Sequence, residues 1–205
     1  MTRRFARFCV FAVIFSATFV VAQTEFSADV VSSQKQGTQT QSKIYFSKDK
    51  IRFDSRDPDS KGAAFIMNLA SQTVTILMPE QHMYMEMPSQ AQEQRQMFSF
   101  FKTSDVDNAC GDWLKLANNK GGTCHKVGSQ AVNGRNTVEY EGTNAKSEVS
   151  HVWLDPKLRF PVKWQGKDDG GELRNIQEGP QPASLFEVPA GLTKMDMGDT
   201  TQKRH

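Results

Sequence analysis

From Phe26 onward the apolar residues recur at every second position, and that period of two governs what the chain can fold into. Phe26, Ala28 and Val30 alternate with Ser27 and Asp29, the pattern of a half-buried strand. Ile44-Tyr45-Phe46 and Ile51-Arg52-Phe53-Asp54 continue it on either side of a tight turn at Ser47-Lys48-Asp49. Ala63 to Leu69, Thr73 to Met78 and His82 to Met87 follow, with Pro79-Glu80-Gln81 turning the chain between the last pair. Parallel neighbours would need long crossovers, so connections this short predict an antiparallel meander. Strands resume at Thr123 to Val132, and Asn133-Gly134 is the strongest hairpin signal in the chain, leading into Arg135 to Glu141. Ser147 to Leu154, Pro161 to Gln165 and Glu172 to Gln177 bring the set to roughly ten. Asp168-Asp169-Gly170-Gly171 reads as a turn, and Leu185 to Pro189 as a short apolar clasp.

The period changes between the sixth strand and Thr123. Ser89 to Lys102 holds no Gly or Pro, Ser89-x-x-Gln92 matches a capping box, and Met97, Phe98 and Phe101 fall at helical spacing. A shorter helix is predicted over Asp112 to Asn118, packing Trp113, Leu114 and Leu116. A sheet of about ten strands must curl or split. The expected fold is therefore mainly β (α+β), a strongly curved antiparallel sheet closed over one main inserted helix. Residues 23–197 are expected to form a single domain, followed by a polar tail at 198–205.

Residues 1–22 read as an address label. Arg3, Arg4 and Arg7 precede an apolar run from Phe8 to Ala22, and Val20-Val21-Ala22 suits signal peptidase. The run falls short of the about 20 apolar residues a spanning helix needs, which weighs against a retained anchor. Cys9 stands at the start of the run instead of closing it and so cannot be a lipidated cysteine; Arg7 stands where a twin-arginine signal wants an apolar residue. The expectation is an exported chain, in the periplasm or outside the cell, with no membrane span after cleavage. Losing those three arginines leaves 22 basic residues against 23 acidic ones, which removes the electrostatic argument for nucleic acid. Cys110 and Cys124 then remain, an even number in an oxidising compartment, and are expected to form a structural disulfide.

Four stretches carry a resemblance: Lys50 to Asp54; Met78 to Pro88; Gly128 with Val132-Asn133-Gly134-Arg135; and Leu185 to Gly191. The chain resembles an uncharacterised family of exported domains related to the LolA-like lipoprotein-carrier fold, a half-barrel lidded by helices. The resemblance implies that Arg52, on an early strand, is a candidate for anchoring the lid.

Little supports catalysis. His82, His125, His151 and His205 show no metal-protease spacing, and no nucleophile elbow or phosphate loop is present, so a noncatalytic protein without a cofactor is expected. Six of the nine methionines fall between Met67 and Met97, suiting a surface that accepts irregular apolar guests. The favoured function is a carrier or binding module for a lipid or acyl chain, or for an acylated protein. Its cavity would be lined by Phe53, Phe65, Met67, Ile76, Met83 and Met85, with Met97, Phe98 and Phe101 as a lid. Ile51 and Val74 share the inward face, while Arg52, Asp54, Thr73, Thr75 and Glu86 would face water. Two alternatives stand beside it. One is an envelope scaffold with a closed core and no ligand; the other is a Cu(I) site on Met83, Met85 and Met87, with a nitrogen from His82 or His151.

Overall fold

Two meanders are sewn together along one strand. The computed structural model describes residues 23–34, 39–88, 100, 101, 103, 105–116 and 121–195. In the first meander β1 (Phe26–Gln34), β2 (Gln39–Ser47), β3 (Lys50–Ser55), β4 (Ala64–Asn68), β5 (Thr73–Met78) and β6 (Met83–Pro88) pair antiparallel in chain order. In the second, β7 (Thr123–Val132), β8 (Arg135–Thr143), β9 (Val149–Asp155), β10 (Phe160–Gln165) and β11 (Asp169–Glu178) do the same. β1 pairs with both β2 and β11 and makes them one sheet. A two-residue strand, β12 (Thr193–Lys194), adds to the outer edge of β6, giving the order β12-β6-β5-β4-β3-β2-β1-β11-β10-β9-β8-β7.

The expected curved antiparallel sheet is what the chain forms, with one correction: β12 runs parallel to β6. The crossover that parallel pairing requires is here the whole second meander. Curvature follows from the aromatic core. Phe46 on β2 and Phe160 on β10 lie three strand positions apart, about 14 Å in a flat sheet. Their ring centroids are 5.6 Å apart, and Phe26 on the intervening β1 touches both. The open sheet curls around Phe26, Phe46, Ile51, Phe160 and Leu173, all buried, with β12 and β7 as its two edges.

Two further departures have local causes, while the Asn133-Gly134 hairpin is as expected. β2 starts at Gln39, ahead of the apolar pattern, because the polar Gln39 to Lys43 pairs with Asp29 to Ser33 while its first residues stay exposed. Asp169 to Gly171 belong to β11, not to a turn; the turn is Gly166 to Asp168, and Gly171 lies opposite Trp164, where a Cβ would come within 2.4 Å of the indole. Asn133 and Gly134 both adopt positive φ, 49° and 78°, as the predicted tight hairpin requires.

The outer face of the first meander is not simply polar. Ala64, Ile66 and Leu77 are buried there beneath Phe186, carried by a short 3-10 turn, Ala183–Phe186. The apolar clasp at Leu185 is thus a cover for that face. The helix α1 (Ala109–Leu116) begins three residues earlier than Asp112 and packs Trp113 against Tyr140. The Cys110–Cys124 disulfide joins it to β7 across 5.5 Å between Cα atoms. Residues 1–22 and 198–205, the capping box at Ser89, and Met97 and Phe98 lie outside the described residues.

Candidate functional site

Cross-strand partners in a sheet stand on the same face, so register alone assembles the site. Ile44, Phe53, Phe65, Ile76 and Met85 are successive partners from β2 to β6. Phe46, Ile51, Met67, Val74 and Met87 form the neighbouring row, and Met78 pairs with Met83 on the same face. Every strand residue named as inward-facing from the sequence stands on this one concave face.

Part of that face is open. A cavity of about 320 Å³ is lined by Phe53, Phe65, Met67, Val74, Phe100 and Phe101, with no polar side chain among them. Met67 forms its buried floor, while Phe65, 41% exposed, stands at the rim. Phe101 closes the inner side, its ring 6.0 Å from Phe53 and stacked 5.3 Å from Phe160. Phe100 meets Phe101 edge-on at 5.2 Å and stacks on Trp113 at 6.1 Å, and Trp113 meets Tyr140 at 5.5 Å. A continuous line of rings runs from β3 through the cavity wall to α1 and β8.

The predicted residues divide accordingly. Phe53, Phe65, Met67 and Phe101 come together around the cavity. Ile76, Met83 and Met85 share the face but lie outside its lining, half-buried toward β6. Phe100 was missed, because helical spacing selects Phe98 and Phe101 and turns Phe100 away. Phe100 is helical and Phe101 sits in a bend, and both rings reach the cavity. Arg52 points to the opposite face. Its Nη1 donates to the Leu185 carbonyl at 2.8 Å and its Nε to Asp54, so it anchors the clasp on the outer face, while Met97 and Phe98 of the expected lid lie outside the described residues.

Charged groups are organised elsewhere. Asp155, 2% exposed, accepts from the backbone N–H groups of Lys157 and Leu158 and from Arg135, which also reaches Glu178. Hydrogen bonds from Lys157 and then Arg135 hold the Glu178 carboxyl below the usual carboxylate range. His151 on β9 bonds to Glu139 through Nδ1 at 3.0 Å and stacks on Trp153, which leaves it remote in strand order from the methionines of β6. Among the described residues no cluster of three His, Cys, Asp or Glu side chains could hold a metal ion. No helix among them is long and apolar enough to cross a membrane.

Comparison with known proteins gives the fold company. An uncharacterized conserved protein from Thermus thermophilus superposes with a TM-score of 0.55 at 10% identity, over 84% of this chain and 90% of that one. A chain of the Pseudomonas aeruginosa MucA/MucB complex gives 0.51 at 15% identity, over 83% of this chain and 58% of that one. The present chain thus spans less than two thirds of the latter. A LolA superfamily protein from Nitrosomonas europaea aligns at 10% identity over 82% of this chain and 91% of that one, with a TM-score of only 0.35. Likeness at these identities concerns fold alone, and the last is too loose to carry an argument. No curated protein sequence matches the chain. The sequence itself matches a family model, described as a domain of unknown function, over residues 29–159. That match runs from within β1 to the turn before β10, well over half the chain, and the chain belongs to this family, DUF4412.

Proposed function

We propose that the protein is a noncatalytic binding module of the cell envelope that takes an apolar chain into the cavity beside Phe53. The guest would be a lipid or the acyl group of an acylated protein. One observation carries the reading: a cavity of about 320 Å³ whose described lining residues are all apolar, opening past a half-exposed phenylalanine. Its size falls at the lower end of the roughly 300–1,000 Å³ found for small-ligand sites. At about 0.8 kcal/mol per buried methylene, a chain of about eight would gain on the order of 6 kcal/mol, enough for useful reversible affinity without a charged clamp. Among the described residues no charged side chain lines the cavity, so an acid headgroup would remain outside it. Export to the periplasm, read from residues 1–22, fits such a role.

A second reading draws on the packing of Phe53, Val74 and Phe101 against the main core. If these side chains fill the space themselves, the protein is an envelope scaffold without a ligand. The test is titration of the purified protein with a fluorescent fatty acid, followed by displacement with unlabelled acyl chains. Saturable micromolar binding, weakened at least tenfold in Phe65→Asp, is the expected result. Phe65 stands at the rim, so this variant should keep the wild-type circular dichroism. A folded wild-type protein that never binds the probe would favour the scaffold. The Cu(I) alternative fails separately if calorimetric titration shows no binding tighter than micromolar.

A further inference from the structure

The helix α1 has eight residues, too few for a helix to persist in water unaided, so it depends on its fastenings to the sheet. There are two. The Cys110–Cys124 bridge ties its first turn to β7. Tyr140 on β8 donates from its hydroxyl to the Val106 carbonyl at 2.6 Å and accepts from the Ala109 N–H at 3.5 Å.

Trp113 lies one turn along α1, between Tyr140 and Phe100. Its buried indole Nε1–H has no hydrogen-bond partner among the described residues, so packing holds the ring in place. Phe100 rests on Trp113 on one side and on Phe101 on the other, and both phenylalanines line the cavity. The bridge, the helix, the indole and the cavity wall are therefore in direct succession.

We propose that the Cys110–Cys124 disulfide controls access to the cavity. Oxidised, it keeps Trp113 against Phe100 and holds the Phe100–Phe101 pair in the wall. A dithiol donor reduces it to two thiols, supplying two electrons and two protons and becoming a disulfide itself. α1 then loses its covalent tie and keeps only noncovalent contacts, Tyr140 foremost among them, so Trp113 leaves its unsatisfied position and the pair is released from the wall. The proposal rests on the reading that the cavity takes an apolar guest, although its structural half can be measured without one.

The experiment compares oxidised protein with protein reduced by dithiothreitol, the free thiols being verified by alkylation. Amide hydrogen exchange is followed in peptides covering Phe100, Phe101 and α1, and release of a fluorescent fatty acid is timed in parallel. Exchange there should rise at least tenfold while β1 to β5 stay protected, and probe release should quicken by a similar factor. Cys110→Ser combined with Cys124→Ser should reproduce the reduced behaviour, and Trp113→Ala should quicken release with the bridge intact. Unchanged exchange at Phe100 and Phe101 with both thiols free would overturn the proposal. Loss of protection throughout the sheet would also overturn it, since the bridge would then be a general staple. Raised local exchange in a protein that never binds the probe would support the coupling and overturn the ligand reading instead.

Discussion

Arg52 and Leu185 meet across the outer face of the sheet, the guanidinium Nη1 donating to the backbone carbonyl at 2.8 Å. The contact joins β3 to a segment 133 residues later and holds Phe186 over Ala64, Ile66 and Leu77. A hydrogen bond from a charged donor contributes about 1.5–3 kcal/mol. Arg52→Ala should lower the urea midpoint by that order and expose Ala183 to Lys194 to limited proteolysis. Acyl-probe affinity should stay unchanged, because the cavity is on the other face.

That same contact marks the border of what the sequence discloses. Period-two alternation is a local property, and it places Phe53, Phe65, Met67, Val74 and Ile76 on the concave face correctly. It also assigns Thr73, Thr75 and Glu86 to the outer face, where register puts them. It cannot disclose that a distant apolar clasp covers part of that outer face, because the partner lies after β11. β12 escaped for a related reason: two exposed residues carry no periodicity, and their pairing depends on where the chain arrives after the second meander. Polar extensions such as Gln39 to Lys43 are strands only because β1 is already there to receive them. Phe100 needed knowledge of where helical backbone stops, which spacing alone does not provide.

Arg135 is the second test. It pairs with Asp155, whose side chain is 3% exposed, and with Glu178 at 2.8 Å. Removing one member of a buried pair leaves an uncompensated charge and costs about 3–5 kcal/mol. Arg135→Ala should therefore destabilise far more than a surface substitution, read from chemical denaturation. A loss below about 1 kcal/mol would mean the pair is worth no more than a surface salt bridge.

Stability should also fall in acid. Glu178 is held below its ordinary value by hydrogen bonds from Lys157 and then Arg135. Asp29 is lowered by its hydrogen bond from Asn175, opposed by burial and reinforced by Lys43 and Arg56. The unfolded chain takes up these protons at higher pH than the folded one. The stabilisation is therefore complete above the unfolded carboxylate values and is lost as pH drops through the lowered folded ones. Melting temperature followed from neutral pH to about pH 3 should decline across the carboxylate range. In Glu178→Gln the decline should be shallower, and an identical slope would remove Glu178 from the account.

Gly171 is required by its neighbour. A Cβ there would stand 2.4 Å from Cζ2 and 2.8 Å from Cε2 of Trp164, its cross-strand partner. The indole is rigid, so relief must come from rotating it or displacing β10. Overpacking of this kind costs about 1–3 kcal/mol. Gly171→Ala should show that loss together with altered tryptophan fluorescence. Gly128, with open space around its Cβ position, should tolerate alanine at far smaller cost.

The final prediction separates core from cavity. Phe160 is 1% exposed and touches Phe26, Phe46 and Phe101, so its ring holds the two meanders together where the sheet curls. Truncating a buried phenylalanine removes its transfer energy and leaves a void, at about 3–5 kcal/mol. Phe160→Ala should accordingly lose that much stability and, through Phe101, weaken probe binding as well. Phe65 is 41% exposed and its ring ends at the rim, so Phe65→Ala should cost about 1 kcal/mol or less while still lowering affinity for an acyl probe. Denaturation and binding measured on both variants decide the matter. If Phe65→Ala destabilises as much as Phe160→Ala, the rim is part of the core and the cavity is not a binding site.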